Sequence, residues 1–174
     1  MPLTLYDAIV PTWRQVTGSV QGLIDKAEQW CTEEGHAPSE LIGACLATDM
    51  LPFAYQVKSC WVHSALALEG AKEGKFAPHM DPPPDSFDGL RDLLDQAVSV
   101  MKETDADELE AIAGNDMVFT IGDKFRLDFT VQNFLLGFSN PNFFFHATTA
   151  YDILRMKGIE IGKRDYLGQL PVKG

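Results

Sequence analysis

Apolar residues recur at helical spacing in four stretches of the chain, and this periodicity constrains the fold more than any other feature. In the first stretch they follow one another every three or four positions, which places them on one helical face. These residues are Trp13, Val16, Val20, Leu23, Ile24, Ala27 and Trp30. Thr4 suits the start of a helix and Gly35 its end, so we predict one helix between them that kinks or restarts at Pro11.

Three later stretches repeat the helical pattern. The second carries Phe53, Val57, Cys60, Trp61, Ser64 and Leu68 and is predicted to end near residues 70–74. The third begins at Ser86, and the fourth runs from near Val131 to residues 157–158, with an expected kink at Pro141. Amphipathic helices bury their apolar faces best against one another, so the sequence predicts an all-α four-helix bundle.

The hydrophobic period changes just before the fourth helix. Two short runs of alternating apolar residues flank Gly122 and Asp123; these residues are Val118, Phe119 and Ile121, then Phe125, Leu127 and Phe129. This pattern predicts a short β-hairpin inserted before the last long helix. Four prolines between residues 75 and 85 predict a loop there. Nothing indicates a repeat, so we expect residues 1–174 to form a single domain.

The charge balance excludes some classes of partner. Fourteen basic against 25 acidic residues give a net charge of −11, which disfavours nucleic acid and anionic membrane surfaces as partners. The three cysteines are odd in number and form no CxxC pair, so a disulfide framework is not expected. Reduced thiols in a cytosolic protein are the simpler interpretation. The sequence shows neither a basic stretch ahead of an apolar run at its start nor a run of about 18 apolar residues. We therefore expect a cytoplasmic protein without a membrane partner.

Three sequence motifs indicate a family. The most specific is Pro-Asn-Phe-Phe-Phe-His, followed by Leu-Arg and then Gly-Lys-Arg-Asp, within residues 141–165. The others are a start with Leu5, Tyr6, Asp7 and Pro11, and a second pattern with Asp49, Met50, Pro52 and Gln56. On these motifs, which span nearly the whole chain, the sequence resembles an uncharacterised domain-of-unknown-function branch of the DinB/YfiT-like superfamily. This resemblance implies a DinB-like four-helix bundle.

The resemblance also implies a position for a functional site. Members of the superfamily typically bind a divalent metal through one histidine on the second helix and two histidines, four residues apart, on the last helix. In this chain those positions fall on Gln56, Asn142 and His146. Only His146 is a good ligand for zinc, nickel or iron, because amide oxygens suit hard cations better. His146 is therefore the one candidate metal ligand, and a divalent metal is only one of the possible cofactors.

Two functions remain open from the sequence. The resemblance implies a metal-dependent hydrolase or a transferase of low-molecular-weight thiols, with His146 as ligand or general base. The alternative is a non-catalytic bundle that binds a small ligand or a protein in a pocket floored by Gln56, Asn142 and His146. A purely structural His146 would donate to a backbone carbonyl or to Tyr6, the fourth candidate pocket residue.

Two further features of the helices carry predictions. Cys60 and His63 lie three residues apart on the second helix and could form an activated thiol, but packing for Cys60 and a surface position for His63 fit better. The consecutive residues Phe143, Phe144 and Phe145 point in directions about 100° apart, so one core face cannot cover all three. Either the C-terminal tail or a second subunit covers the remainder, and the second option predicts a homodimer.

Overall fold

The structure, a computed structural model, describes residues 3–173 and begins with the predicted long helix. Helix α1 (Leu5–Glu34) starts where the Thr4 hydroxyl accepts a hydrogen bond from the Asp7 N–H at 3.1 Å. It ends at Gly35, whose φ of 72° is the left-handed conformation that favours glycine. The helix is continuous across Pro11, so the predicted restart does not occur.

The second bundle helix covers residues 53–73 and contains a π-helical segment. After the short helix α2 (Pro38–Ile42), it is built from α3 (Phe53–Trp61), a π segment (Val62–Leu66) and α4 (Ala67–Glu73). A π segment widens the helix from i→i+4 to i→i+5 hydrogen bonding, and such segments are frequent at functional sites. Side chains beyond it therefore lie on a different face from the one that a regular helical period predicts.

The third bundle helix, α5 (Phe87–Glu103), starts at the predicted cap, where the Ser86 hydroxyl accepts from the Gly89 N–H. A short helix, α6 (Ala106–Ala111), follows it. The fourth bundle helix covers residues 131–156 and consists of α7 (Val131–Phe134), a π segment (Leu135–Ser139) and α8 (Asn140–Met156).

The fourth helix is also uninterrupted at its proline. Pro141 has no N–H to donate to the carbonyl of Gly137, four residues earlier, and Gly137 lies inside the π segment. The backbone thus adapts to the proline by a change of helix type just before it. A final short helix, α9 (Lys163–Leu167), packs on α1 and was not predicted, because five residues show no hydrophobic period.

The predicted hairpin is present and belongs to a three-stranded sheet. Strands β2 (Asp116–Ile121) and β3 (Phe125–Thr130) pair antiparallel, with Ile121 opposite Phe125 across the turn at residues 122–124. Strand β1 (Lys75–Phe76) adds in parallel to β2, in sheet order β1-β2-β3. The stretch predicted as a loop therefore starts with two strand residues, which tie it to the hairpin.

The core lies between the four long helices, as the periodicity predicts. Trp13, Phe53, Phe134 and Phe143 are fully buried there, and α3 packs against α8 and α5. Within residues 3–173, no helix is both long and apolar enough to cross a membrane. The hairpin packs on the start of the fourth helix, where Phe119 and Phe129 contact Phe138 of its π segment.

Candidate functional site

A small cavity of about 160 Å³ lies where both π segments meet the sheet and the stretch that follows β1. Its polar lining comes from Tyr55, Lys58, Ser59, His63, His79, Asn142 and His146. Phe76, Phe119 and Phe138 supply apolar walls. Three of the chain's four histidines thus line one cavity, although they are far apart in the sequence.

His146 is held by a fixed chain of hydrogen bonds. The Gln56 side-chain N–H₂ donates to the Leu51 carbonyl at 2.7 Å, which leaves the Gln56 amide oxygen facing the ring. This oxygen lies 2.7 Å from His146 Nδ1 and can only accept, so Nδ1 carries the proton. The lone pair of the neutral ring is consequently on Nε2.

Burial keeps the His146 ring neutral. Removal from water disfavours the imidazolium and lowers the pKa of His146 from 6.5 to about 4. Tyr55 packs edge-on against the ring, with centroids 6.0 Å apart. At neutral pH His146 is therefore a hydrogen-bond acceptor at Nε2 in a fixed orientation.

His63 lies in the π segment of helix 53–73 and faces His146. The two rings are nearly parallel, at 10°, with centroids 5.7 Å apart. Burial, and secondarily the proximity of His146, lowers the pKa of His63 to about 3, so this ring is neutral as well. Its Nδ1 is buried and has no hydrogen-bond partner in the described part of the chain. The predicted surface position of His63 is wrong.

His79 reaches the cavity from the stretch that follows β1. It packs edge-on against Trp61, with centroids 5.0 Å apart, and its buried Nδ1 also lacks a partner among residues 3–173. The Lys58 ammonium donates to the backbone carbonyls of His79, at 2.8 Å, and of Asp81. This buried lysine fixes the stretch that brings His79 to the cavity.

The structure brings together three of the four predicted pocket residues. Asn142 and His146 line the cavity, and Gln56 supports His146 from behind. The Asn142 N–H₂ donates to the Phe138 carbonyl at 2.7 Å, so its amide oxygen is left as an acceptor. Tyr6 packs at the edge of the core and is not among the residues that line the cavity.

Cys60 takes the structural role that the sequence favours. It is fully buried, and its thiol lies 3.4 Å from the Gln56 carbonyl oxygen. Burial raises the pKa of Cys60 far above its usual range. A thiol in this state is unreactive at neutral pH, so it does not form an activated pair with His63.

Comparisons with known proteins identify a family and a solved structure with the same fold. The family model of the domain of unknown function DUF1993 matches residues 5–167. The chain belongs to this family. The DUF1993 chain is also similar to a crystal structure of a DinB family member protein from Shewanella denitrificans, with a TM-score of 0.82 and 26% identity over 98% of this chain and 95% of that one. No curated protein matches it. The predicted family branch and DinB-like fold are confirmed.

The DUF1993 cavity does not fit the three-histidine metal set of the superfamily. His63 and His146 supply two imidazoles from the expected helices, but the third position is Asn142, whose amide is a weak ligand for the metals that imidazole prefers. Within the described residues, no group of three His, Cys, Asp or Glu side chains could hold a metal ion. Gln56, at the position expected for a ligand, serves instead as the hydrogen-bond partner of His146.

Two of the histidines that line the cavity were not predicted as pocket residues, for physical reasons. His63 follows Gln56 by seven residues on the same helix, which is about two turns, so both lie on one helical side. That spacing was the signal that could have found it. His79 lies in a proline-rich stretch, which is held at the cavity by the pairing of strand β1 with β2 and by the hydrogen bonds from Lys58.

Proposed function

We propose that this DUF1993 protein binds a small molecule in the cavity by hydrogen bonds, without a metal. The supporting observation is that His63 and His79, each with a buried Nδ1 that lacks a partner among residues 3–173, line one cavity with the oriented acceptor of His146. Buried polar atoms in folded proteins nearly always have a partner, and leaving one unpaired costs roughly 1–3 kcal/mol. A ligand that supplies those partners recovers that free energy.

The chemistry of the rings favours binding over acid–base catalysis. A general base works best when its pKa lies near the operating pH, whereas burial lowers the pKa of His146 to about 4. A neutral imidazole with a fixed tautomer is instead a selective hydrogen-bonding group. The cavity, at about 160 Å³, is also smaller than the roughly 300–1,000 Å³ of typical drug-sized sites, which indicates a ligand of few atoms.

A metal-dependent hydrolase or thiol transferase is the second candidate. One contact favours it: histidine ligands to metals usually donate their other ring N–H to an oxygen, as His146 does to Gln56. The missing third ligand argues against it.

A fragment screen by thermal shift tests the binding function. At about 100-fold above its Kd a ligand stabilises the folded state by about 2.7 kcal/mol. We expect fragments that raise the Tm of the wild type but not of His63→Phe, which keeps the ring and removes both nitrogens. His36→Phe is the matched control, because His36 stacks on Trp30 and does not line the cavity. Fragments that stabilise all three proteins equally would contradict the proposal.

We further propose that the protein is cytoplasmic and forms a homodimer through the face that carries Phe145. Of the three consecutive phenylalanines, Phe143 is fully buried, whereas Phe145 is 55% exposed on this chain. The acidic charge makes nucleic acid and membranes poor partners. Light scattering at micromolar concentration should give twice the monomer mass, and Phe145→Ser should halve it. A monomeric wild type would exclude the dimer.

A further inference from the structure

The charges around the cavity differ in sign from those of the whole protein. The chain carries a net charge of −11, yet within residues 3–173 none of the side chains that line the cavity is acidic. The lining includes one ammonium group, from Lys58, and three imidazoles. Because the rings of His63 and His146 are neutral, the positive charge of the described lining comes from the Lys58 ammonium.

Lys58 is a buried charge that lacks a counter-ion. Its side chain belongs to a residue only 3% exposed, and among the described residues no carboxylate lies within ion-pair distance of its Nζ. Burial lowers the pKa of Lys58, and the charge of Asp81 opposes this only in part. Its two hydrogen bonds go to neutral carbonyls, and its other neighbour is the Tyr55 ring, whose centroid lies 6.0 Å from Nζ, so none of these groups neutralises its charge. Buried charges are usually paired, because an unpaired one is costly.

The acidic side chain nearest to the cavity histidines does not supply the missing charge. Asp81 approaches His79 Nε2 at 3.6 Å, but its side chain is 81% exposed and is screened by solvent. The other ring nitrogen of His79 is the buried, unpartnered Nδ1. Among the described residues, the Lys58 ammonium therefore remains without an anionic partner.

We propose that the cavity binds a small, singly charged carboxylate, whose negative charge faces the Lys58 ammonium and whose oxygens accept from ring N–H groups of His63 and His79. This inference rests on the proposed function and specifies its ligand class. One formal positive charge matches one carboxylate, whereas a phosphate carries about −1.5 to −2 at neutral pH and would leave charge uncompensated. The volume of about 160 Å³ limits the ligand to a short acid or to the acid end of a longer one.

A titration with three probes tests the charge requirement on the wild-type protein. Acetate and acetamide have nearly the same shape, and inorganic phosphate adds charge. We expect acetate to shift the ring NMR signals of His63 and His146, to leave those of His36 unchanged, and to bind roughly tenfold or more tightly than acetamide and phosphate. Acetamide that binds as tightly as acetate would overturn the carboxylate while supporting the binding function. Tighter binding of phosphate would also overturn it, and no shift with any probe would count against both.

Lys58→Met removes the charge and keeps most of the length of the side chain. We expect it to weaken acetate binding roughly tenfold or more, and to weaken acetamide binding less, because acetamide loses only the support that Lys58 gives to the His79 stretch. Lys102→Met changes the net charge equally on an exposed site of α5 and should bind acetate as the wild type does. Equal loss in both variants would contradict a specific role of Lys58. Should Lys58→Met fail to fold, the comparison of acetate with acetamide on the wild type decides alone.

Discussion

Two faces of helix 131–156 use polar residues in opposite ways. On the face toward α1, the Asn140 amide oxygen accepts from the Trp13 indole N–H at 2.9 Å, and Phe143 packs against the same indole. On the face toward the cavity, Asn142 and His146 lie beside the unpartnered nitrogen of His63. One helix thus makes a satisfied hydrogen bond to α1 through Asn140 and faces an unpartnered imidazole nitrogen on its cavity side.

This difference indicates that the two faces of the helix have different roles, one in stability and one in ligand binding. A satisfied buried network holds two helices in one register, whereas unpartnered buried nitrogens lower stability and are retained where a ligand completes them. Both π segments lie on the cavity side, where His63 and Phe138 belong to them. The α1 face therefore stabilises the bundle, and the cavity face provides the binding groups.

The largest expected effect comes from the α1 face. Phe143→Ala should lower the free energy of unfolding by about 3–5 kcal/mol, because it empties a fully buried ring site. The neighbouring substitution Phe145→Ala changes an exposed ring and should stay within about 0.5 kcal/mol. Chemical denaturation of both variants measures the contrast at a concentration at which the proposed dimer is dissociated and Phe145 is exposed. Equal losses of free energy would contradict it.

The cavity face should make stability depend on pH. The folded pKa values of His63 and His146, about 3 and about 4, lie below the ordinary 6.5, so the unfolded state binds more protons between these values. Stability is therefore full above about pH 6.5 and is lost as pH falls toward 4, by roughly 1.4 kcal/mol per pH unit for each histidine. Denaturation of wild type and His146→Leu from pH 7.5 to 4.5 should give a shallower slope for the variant. If His146→Leu shows the same dependence of stability on pH as the wild type, the claim that His146 is buried in its neutral form is wrong.

Loss of the hydrogen bond between Gln56 and His146 should lower the free energy of unfolding by an intermediate amount. Gln56→Leu leaves His146 Nδ1 and the Leu51 carbonyl without their partner, so we expect a loss of about 1–3 kcal/mol. The ring should also lose its fixed tautomer, which the nitrogen chemical shifts of His146 report. Gln29→Leu, at an exposed site of α1, serves as control and should change stability by less than about 0.5 kcal/mol. Retention of the Nδ1–H tautomer in Gln56→Leu would show that another group fixes it.

The smallest effect should have the opposite sign. His63→Leu removes a buried nitrogen that has no partner among residues 3–173, so at pH 7.5 the unliganded variant should be as stable as the wild type or up to about 1 kcal/mol more stable. The same variant should lose fragment binding. A destabilisation of more than about 2 kcal/mol would show that His63 stabilises the folded protein, and would contradict this prediction.

The helices and the hairpin could be predicted because their signals are local. Thr4 and Gly35 delimit α1 as their cap chemistry requires, and alternation around Gly122 gives the correct strands. The cavity could be predicted only in part. Asn142 and His146 share a face by their spacing of four residues, but the partner of His146 depends on how two helices pack, and no local pattern encodes that.

The central claim is that the cavity binds its ligand without a metal, and metal content tests it most directly. The protein would be purified without a chelating column, and zinc, nickel and iron would be measured in wild type and His146→Ala. We expect only trace metal in both, because Asn142 replaces the third imidazole. Close to one metal ion per chain in the wild type, lost in His146→Ala, would contradict the account and establish a metal centre.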